Sequence, residues 1–293
     1  MIQLKSILLN LLFIGIASGW SSCNLINPDE SIPAYIEVRG ITTTSNYITQ
    51  GSASNNITDV WVYAGGAYLG TFELPARIPI LLEGKHKITL GAGIKANGIS
   101  STSEFYNLYK FHDVELDLIP GKVTVVDTFS VSYFPAIQYV WYEDFEKDTS
   151  GGGISLDTTD ISLAEIFPDS VEVFEGKRSL RMQVTTAFNF IECRTVGDGY
   201  ILPVGRDVYL EMDYKCSQPF IMGLIGVTNN GEKRIPIIRL NPKSDWNKIY
   251  VRLGPYVNFN TDAFKFKVYY RVALPSTETE GTVYLDNLKL ISN

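Results

Sequence analysis

The sequence predicts an all-β chain built as two β-sandwich modules, and three observations carry that expectation. Apolar and polar residues alternate with a period of two in one short segment after another. Gly, Pro, Asn, Asp and Ser clusters punctuate those segments at short intervals. Aromatics make up 12%, led by 17 Tyr and 15 Phe, and such rings suit a pleated, half-buried surface.

The first module runs over 33–135. Ala34, Ile36 and Val38 alternate with Tyr35, Glu37 and Arg39, as in a strand with one face buried. Asp59 to Leu74 reads as a hairpin: Val60 and Val62 alternate with Trp61 and Tyr63, and Gly65-Gly66 supply the positive φ of a tight turn. Pro75 and Pro79 mark a turn or a sheet edge. His86, Ile88 and Leu90 share a face, which makes His86 a core histidine. Val114 to Leu118, Pro120-Gly121 and Val123 to Val131 form a second predicted hairpin.

Between Tyr133 and Trp141 the pattern resets, and the second module takes 136–293. Its predicted strands are Ser170 to Phe174, Ser179 to Thr185, Val208 to Tyr214, Ile221 to Val227, Lys248 to Leu253, Phe264 to Val272 and Thr282 to Leu290. Short strands with turn signals between them point to a sandwich. The one candidate helix is short, around Leu163 to Phe167. Gly151 to Gly153 read as a flexible connection.

Composition narrows function by exclusion. The net charge is −7, with no basic patch, so no nucleic acid is expected as a partner. Residues 1–22 have the parts of a signal peptide: Lys5, an apolar stretch from Ile7 to Gly19, then Ser21 and Ser22. That stretch is too short to span a bilayer, which needs about 20 residues. Gly19-Trp20-Ser21-Ser22-Cys23 resembles the lipobox of bacterial (Bacteroidota-like) lipoproteins, with Trp20 standing where an aliphatic residue is usual. The resemblance implies lipidation of Cys23, a tether over 23–32, and a membrane partner reached through the lipid. The expected address is the cell envelope, most readily the outer membrane, with the face left open. Cys193 and Cys216 could pair as a disulfide or lie apart as buried thiols, since spacing does not set strand register.

Two resemblances add content. Val60 to Leu90, through Gly65, Gly66, Gly70, Thr71, Gly84, His86 and Ile88, resembles small surface β-modules of the PEGA type, which implies a binding or spacer role. YEDFE at 142–146, GKRSLRM at 176–182 and YLDNLKL at 284–290 are similar to the opening, second-strand and closing segments of carbohydrate-binding modules with a galactose-binding-like jelly-roll fold. That likeness implies a jelly roll, a structural calcium as cofactor, and a glycan as ligand. For calcium it points to the carboxylates of Glu146, Glu175 and Asp286 and the carbonyl of Lys177; the alternative is a charged rim with Asp286 accepting backbone hydrogen bonds and Glu146 paired with Arg178. For a glycan it points to the rings of Trp141, Tyr200, Trp246 and Tyr256, each of which could equally be packed away.

No catalytic residues are assigned. The two histidines, His86 and His112, have no second metal-binding partner nearby, and neither Gly-x-Ser-x-Gly nor a phosphate-binding loop occurs. The expected protein is thus a non-enzymatic, membrane-anchored binding module. An assembly subunit contacting another envelope protein is one alternative. A glycoside hydrolase, whose carboxylate pair is set by space rather than spacing, is the other.

Overall fold

The computed structural model describes residues 30–146 and 155–293. The leader, Cys23 and the Gly151–Gly153 run lie outside the described residues.

The first module contains β1 (Ala34–Val38), β2 (Ile41–Thr44), the single-turn helix α1 (Tyr47–Gln50), β3 (Ile57–Ala64), β4 (Ala67–Glu73) and β5 (Ala76–Ile80). It continues with β6 (Gly84–Lys95), β7 (Ser103–Phe105), β8 (His112–Leu118), β9 (Val123–Val126) and β10 (Phe129–Ser132). Long β6 pairs with β3 along one edge and with β8 and then β7 along the other. The predicted β3–β4 hairpin forms, with Gly65 and Gly66 at φ 58° and 82°, the backbone of a type I′ turn. Opposite this sheet lie β5-β1-β9 and the β10-β2 pair. Pro79 sits in edge strand β5, where its missing N–H costs no ladder bond. Ile36, Ile78, Val62 and Leu90 fill the space between, all fully buried.

Three local expectations are corrected here. Val114 to Val131 is not a hairpin: β8 pairs antiparallel with β6, whereas β9 crosses over and joins β1 in parallel. Asp127 and Thr128 then interrupt the run before β10 joins β2. His86 is half-exposed, not in the core, and its Nε2 lies 2.9 Å from the carbonyl of Glu83. It shares the face of Ile88 but sits near the strand's start, where the sheet is open to solvent.

The second module contains β11 (Gln138–Glu143), β12 (Leu156–Thr158), β13 (Phe167–Asp169), β14 (Ser179–Thr185), β15 (Phe190–Thr195), β16 (Val208–Cys216) and β17 (Phe220–Thr228). It ends with β18 (Gly231–Leu240), β19 (Lys243–Arg252), the short helix α2 (Gly254–Phe259), β20 (Lys265–Ala273) and β21 (Glu280–Ser292). One sheet runs β13-β14-β21-β16-β19, with β11 also on β21; the other runs β12-β15-β20-β17-β18. All pairings are antiparallel. This is the expected jelly-roll-type sandwich in an all-β chain. Leu210, Met212, Leu285, Leu290, Val268 and Tyr270 pack between its sheets. Cys193 and Cys216 are buried free thiols on opposite sheets, and burial pushes the Cys193 thiol up to about 12.

Two local expectations are corrected in this module as well. Leu163 to Phe167 is not a helix; it is bend and coil leading into β13. Ser170 to Phe174 is not a strand. The buried carboxylate of Asp169 accepts the N–H groups of Val171 and Glu172 at 2.7 and 2.8 Å, and those donors are then lost to any ladder.

The modules are not separate bodies on a string. The first module's core continues onto the outer face of the six-stranded sheet, taking in Tyr209, Tyr250 and Ile291. Just past β6, Ala96 forms a parallel bridge with Tyr250 of β19. Asn97 donates its N–H to the Tyr250 carbonyl and accepts that of Arg252, both at 2.9 Å.

Candidate functional site

Residues paired across strands share a face of the sheet, so the register of the six-stranded sheet reads out its outer surface in rows. On β16 the outward residues are Tyr209, Glu211, Asp213 and Lys215. The first three are buried beneath the first module, and only Lys215 is partly exposed.

The covered rows hold a charged network. Tyr106 and Tyr133 donate to Glu211 Oε1 at 2.7 and 2.8 Å. Ser54 donates to Asp213 Oδ1 at 2.7 Å, and Lys248 Nζ lies 3.6 and 3.7 Å from Glu211 and Asp213. Lys289 donates to the Ser52 carbonyl and lies over the Tyr133 ring; its burial pulls its pKa down to about 8. Each ion has a counter-charge or a hydrogen bond, as burial of charge requires.

The fourth row is open. Phe167 of β13 stands opposite Arg181 of β14, Arg181 opposite Tyr284 of β21, and Tyr284 opposite Lys215 of β16. On β19, beside a register shift between Tyr214 and Cys216, the Trp246 ring lies 6.4 Å from Tyr284 and 5.7 Å from Phe174. Aromatic and cationic side chains thus alternate across five strands, a span of about 19 Å at about 4.8 Å per step.

The loop that failed to form a strand holds this row in place. Trp246 Nε1 donates to Glu172 Oε1 at 3.0 Å, and Lys215 Nζ meets the other oxygen of Glu172 at 2.9 Å. Arg181 reaches Asp169 at 3.3 Å. Phe174 remains 41% exposed. Depressions flank the row at both ends. One, of 520 Å³, is lined by Leu163, Phe167, Gln183 and Phe188. The other, of 430 Å³, is lined by Lys215, Ser217, Lys243, Thr282 and Tyr284. Ring faces bounded by amides, hydroxyls and ionic groups suit a ligand that has apolar C–H faces and a hydroxyl periphery.

Of the four aromatics singled out from sequence, only Trp246 lies on this row. Trp141 is 7% exposed, packs on the sandwich core, stacks on half-buried Tyr200 at 6.2 Å and donates to Ser155. Tyr256 lies against the same core, 3.4 Å from the Ile237 carbonyl. Phe167, Phe174, Arg181, Lys215 and Tyr284 were not singled out. Tyr284 opens the YLDNLKL segment, but nothing local marks the strand register that places it beside Trp246.

The four residues pointed to for calcium do gather around the 174–178 loop, but there Glu146, Glu175 and Asp286 accept hydrogen bonds and Lys177 donates its N–H. Glu146 Oε1 takes the N–H groups of Lys177 and Arg178 at 2.7 and 2.9 Å. Asp286 takes those of Phe174, Glu175 and Asn287, and Glu175 takes the Asn287 amide at 3.3 Å. With oxygens aimed at N–H donors, the set does not fit a cation needing six to eight oxygens. No cluster of three or more acids, histidines or cysteines poised for a metal occurs among the described residues. Burial, above all, pushes Asp286 up to about 7.

No family profile matches the chain, and no curated protein does. Among solved structures, the chain is similar to a xylan-binding domain of carbohydrate-binding module family 22, at 16% identity over 53% of this chain and 96% of that one, with a TM-score of 0.38. It is similar to a module described among carbohydrate-binding modules of the β-sandwich superfamily, at 16% identity over 90% and 99%, TM-score 0.41. A third is the family 30 module of a cellulosomal cellulase of Clostridium thermocellum, at 16% over 51% and 96%, TM-score 0.36.

Proposed function

We propose that this chain is a non-enzymatic glycan-binding protein of the cell envelope, held at a membrane by a lipid on Cys23. The observation that carries the glycan reading is the open row from Phe167 to Trp246, the part of the outer face that the first module leaves uncovered. Sugar rings offer C–H faces to Trp246, Tyr284 and Phe174, while Arg181, Glu172, Lys215 and Gln183 are placed for ring hydroxyls. The first module then acts as a fixed wall at one side of the row. The anchor is supported by the leader and by the cysteine that follows it.

A glycan array probed with residues 24–293 tests the reading. Retention of a defined glycan, weakened at least about tenfold by Trp246→Ala and by Tyr284→Ala, is the expected outcome, one such ring contributing about 1–2 kcal/mol. An array on which the wild-type chain retains nothing ends the glycan reading. Palmitate labelling in cells, lost in Cys23→Ser, tests the anchor separately.

A further inference from the structure

A second cleft lies past the β19 end of the aromatic row, in the seam between the modules. It encloses 550 Å³, within the roughly 300–1,000 Å³ range of small-ligand sites. One wall is the turn after β6, at Asn97. The other is the β18–β19 corner, with Arg239, Asn241, Lys243 and Asn247, and Lys248 at the back. The seam is built: the hydrogen bonds of Asn97 with Tyr250 and Arg252 pin the turn to the edge of β19. The approach is close enough that a Cβ on Gly98 would lie 3.1 Å from Ile249 Cδ1.

The lining has a definite chemistry. In a chain of net charge −7, it contains Lys95, Arg239, Lys243 and Lys248 and no acidic side chain. Lys95 and Lys248 are already matched from behind, by Asp59 and by Glu211 with Asp213. Arg239 and Lys243 are exposed and form no ion pair among the described residues. Two unmatched cations therefore stand at a cleft whose remaining polar lining is the amides of Asn56, Asn97, Asn241 and Asn247, the hydroxyls of Ser100, Tyr214 and Tyr250, and the two matched lysines. Asn97 spends its oxygen on Arg252 N, which leaves its NH₂ group to donate.

We infer that this cleft binds an acidic saccharide, its carboxylate held by Arg239 and Lys243 and its hydroxyls by the amides of Asn97, Asn241 and Asn247. A guanidinium fork matches a carboxylate in two parallel hydrogen bonds, and amides both donate to and accept from hydroxyls. A neutral sugar leaves both cations unmatched; a bare anion leaves the amides unused. The inference goes beyond the row, because the cleft lies beyond the Pro242–Lys243 corner, which lines both it and the depression beside Lys215.

Titration calorimetry on the full-length chain in detergent tests it, with trigalacturonate and galacturonic acid as acid probes and neutral galactotriose and acetate as controls. The expected result is salt-sensitive binding of the acid probes, at least about tenfold tighter than galactotriose. The Arg239→Ala/Lys243→Ala double variant, changed only at exposed positions, is expected to lose at least about tenfold on the acid probes. Trigalacturonate binding over galacturonic acid identifies a polymer as the source; equal binding identifies the free sugar acid. Trp246→Ala separates the two sites: it weakens ligands of the row and leaves the acid probes within about twofold. The inference is overturned if neither acid probe binds, if galactotriose or acetate binds as well as galacturonic acid, or if the double variant binds like wild type.

Discussion

At the scale of single residues, the second module depends on carboxylates that hold backbone. Glu146 braces the 176–178 turn, and Gly176 sits at φ 78° with its Cα against that carboxylate. A Cβ there would collide with Glu146 Oε1. Gly176→Ala is therefore expected to destabilise by about 1–3 kcal/mol, strain and collision acting together, read as a lower denaturation midpoint at unchanged m-value. Asp286 gives a pH prediction. Its folded pKa, about 7 against 3.8, means that between those values the folded chain holds a proton that the unfolded chain has released. By linkage the stability contribution of this group falls as pH rises from 4 to 7. Denaturation midpoints measured from pH 5 to pH 8 are expected to decline, and Asp286→Asn to flatten that decline; an unchanged slope in the variant assigns it to another group.

At the scale of elements, the loop between β13 and β14 is the informative case. Ser170 to Phe174 has strand-like alternation, yet one side chain, Asp169, removes it from the sheet by taking two of its N–H groups. The same turn delivers Glu172 to Trp246 and Lys215. Asp169→Ala is expected to cost about 1–2 kcal/mol in stability. It is also expected to weaken glycan binding, because Trp246 loses the acceptor that orients it. Binding that stays at wild-type strength while stability drops would separate the loop from the row. On the opposite sheet, buried Glu192 takes Arg234 and Arg271 together. Both arginines are spent internally, so that face offers less charge than its sequence suggests.

At the scale of the whole molecule, the two sandwiches share a buried interface and are expected to unfold as one cooperative unit. Their contact buries Tyr106, Tyr109, Tyr209 and Tyr250 in edge-to-face packing above the Glu211–Lys248 network. Aromatic pairs of this kind add about 0.5–1.5 kcal/mol each beyond their buried area. Separating the modules would also strand the charges they share. Calorimetry of the full-length chain is expected to show a single unfolding transition, whereas 136–293 alone is expected to bind a hydrophobic dye and melt earlier. Two resolved transitions in the full-length chain would instead mean that the interface is weak.

Much of the architecture was legible in the sequence because strand formation depends on local alternation and turn chemistry. The β3–β4 turn, edge proline Pro79 and the all-β class can each be read from a few neighbouring residues. What the chain order hides is pairing at long range. That β9 leaves β8 to lie parallel to β1, that the first module covers Tyr209, Glu211 and Asp213 but not Lys215, and that Trp246 rather than Trp141 faces outward all depend on register between distant strands. A shift of one residue in that register reverses every side chain, and nothing in the local pattern specifies it. The sequence by itself therefore determined the kind of structure and the presence of candidate aromatics. Only the tertiary structure decided which of them form a surface, because that choice is made by pairing between strands far apart in the chain.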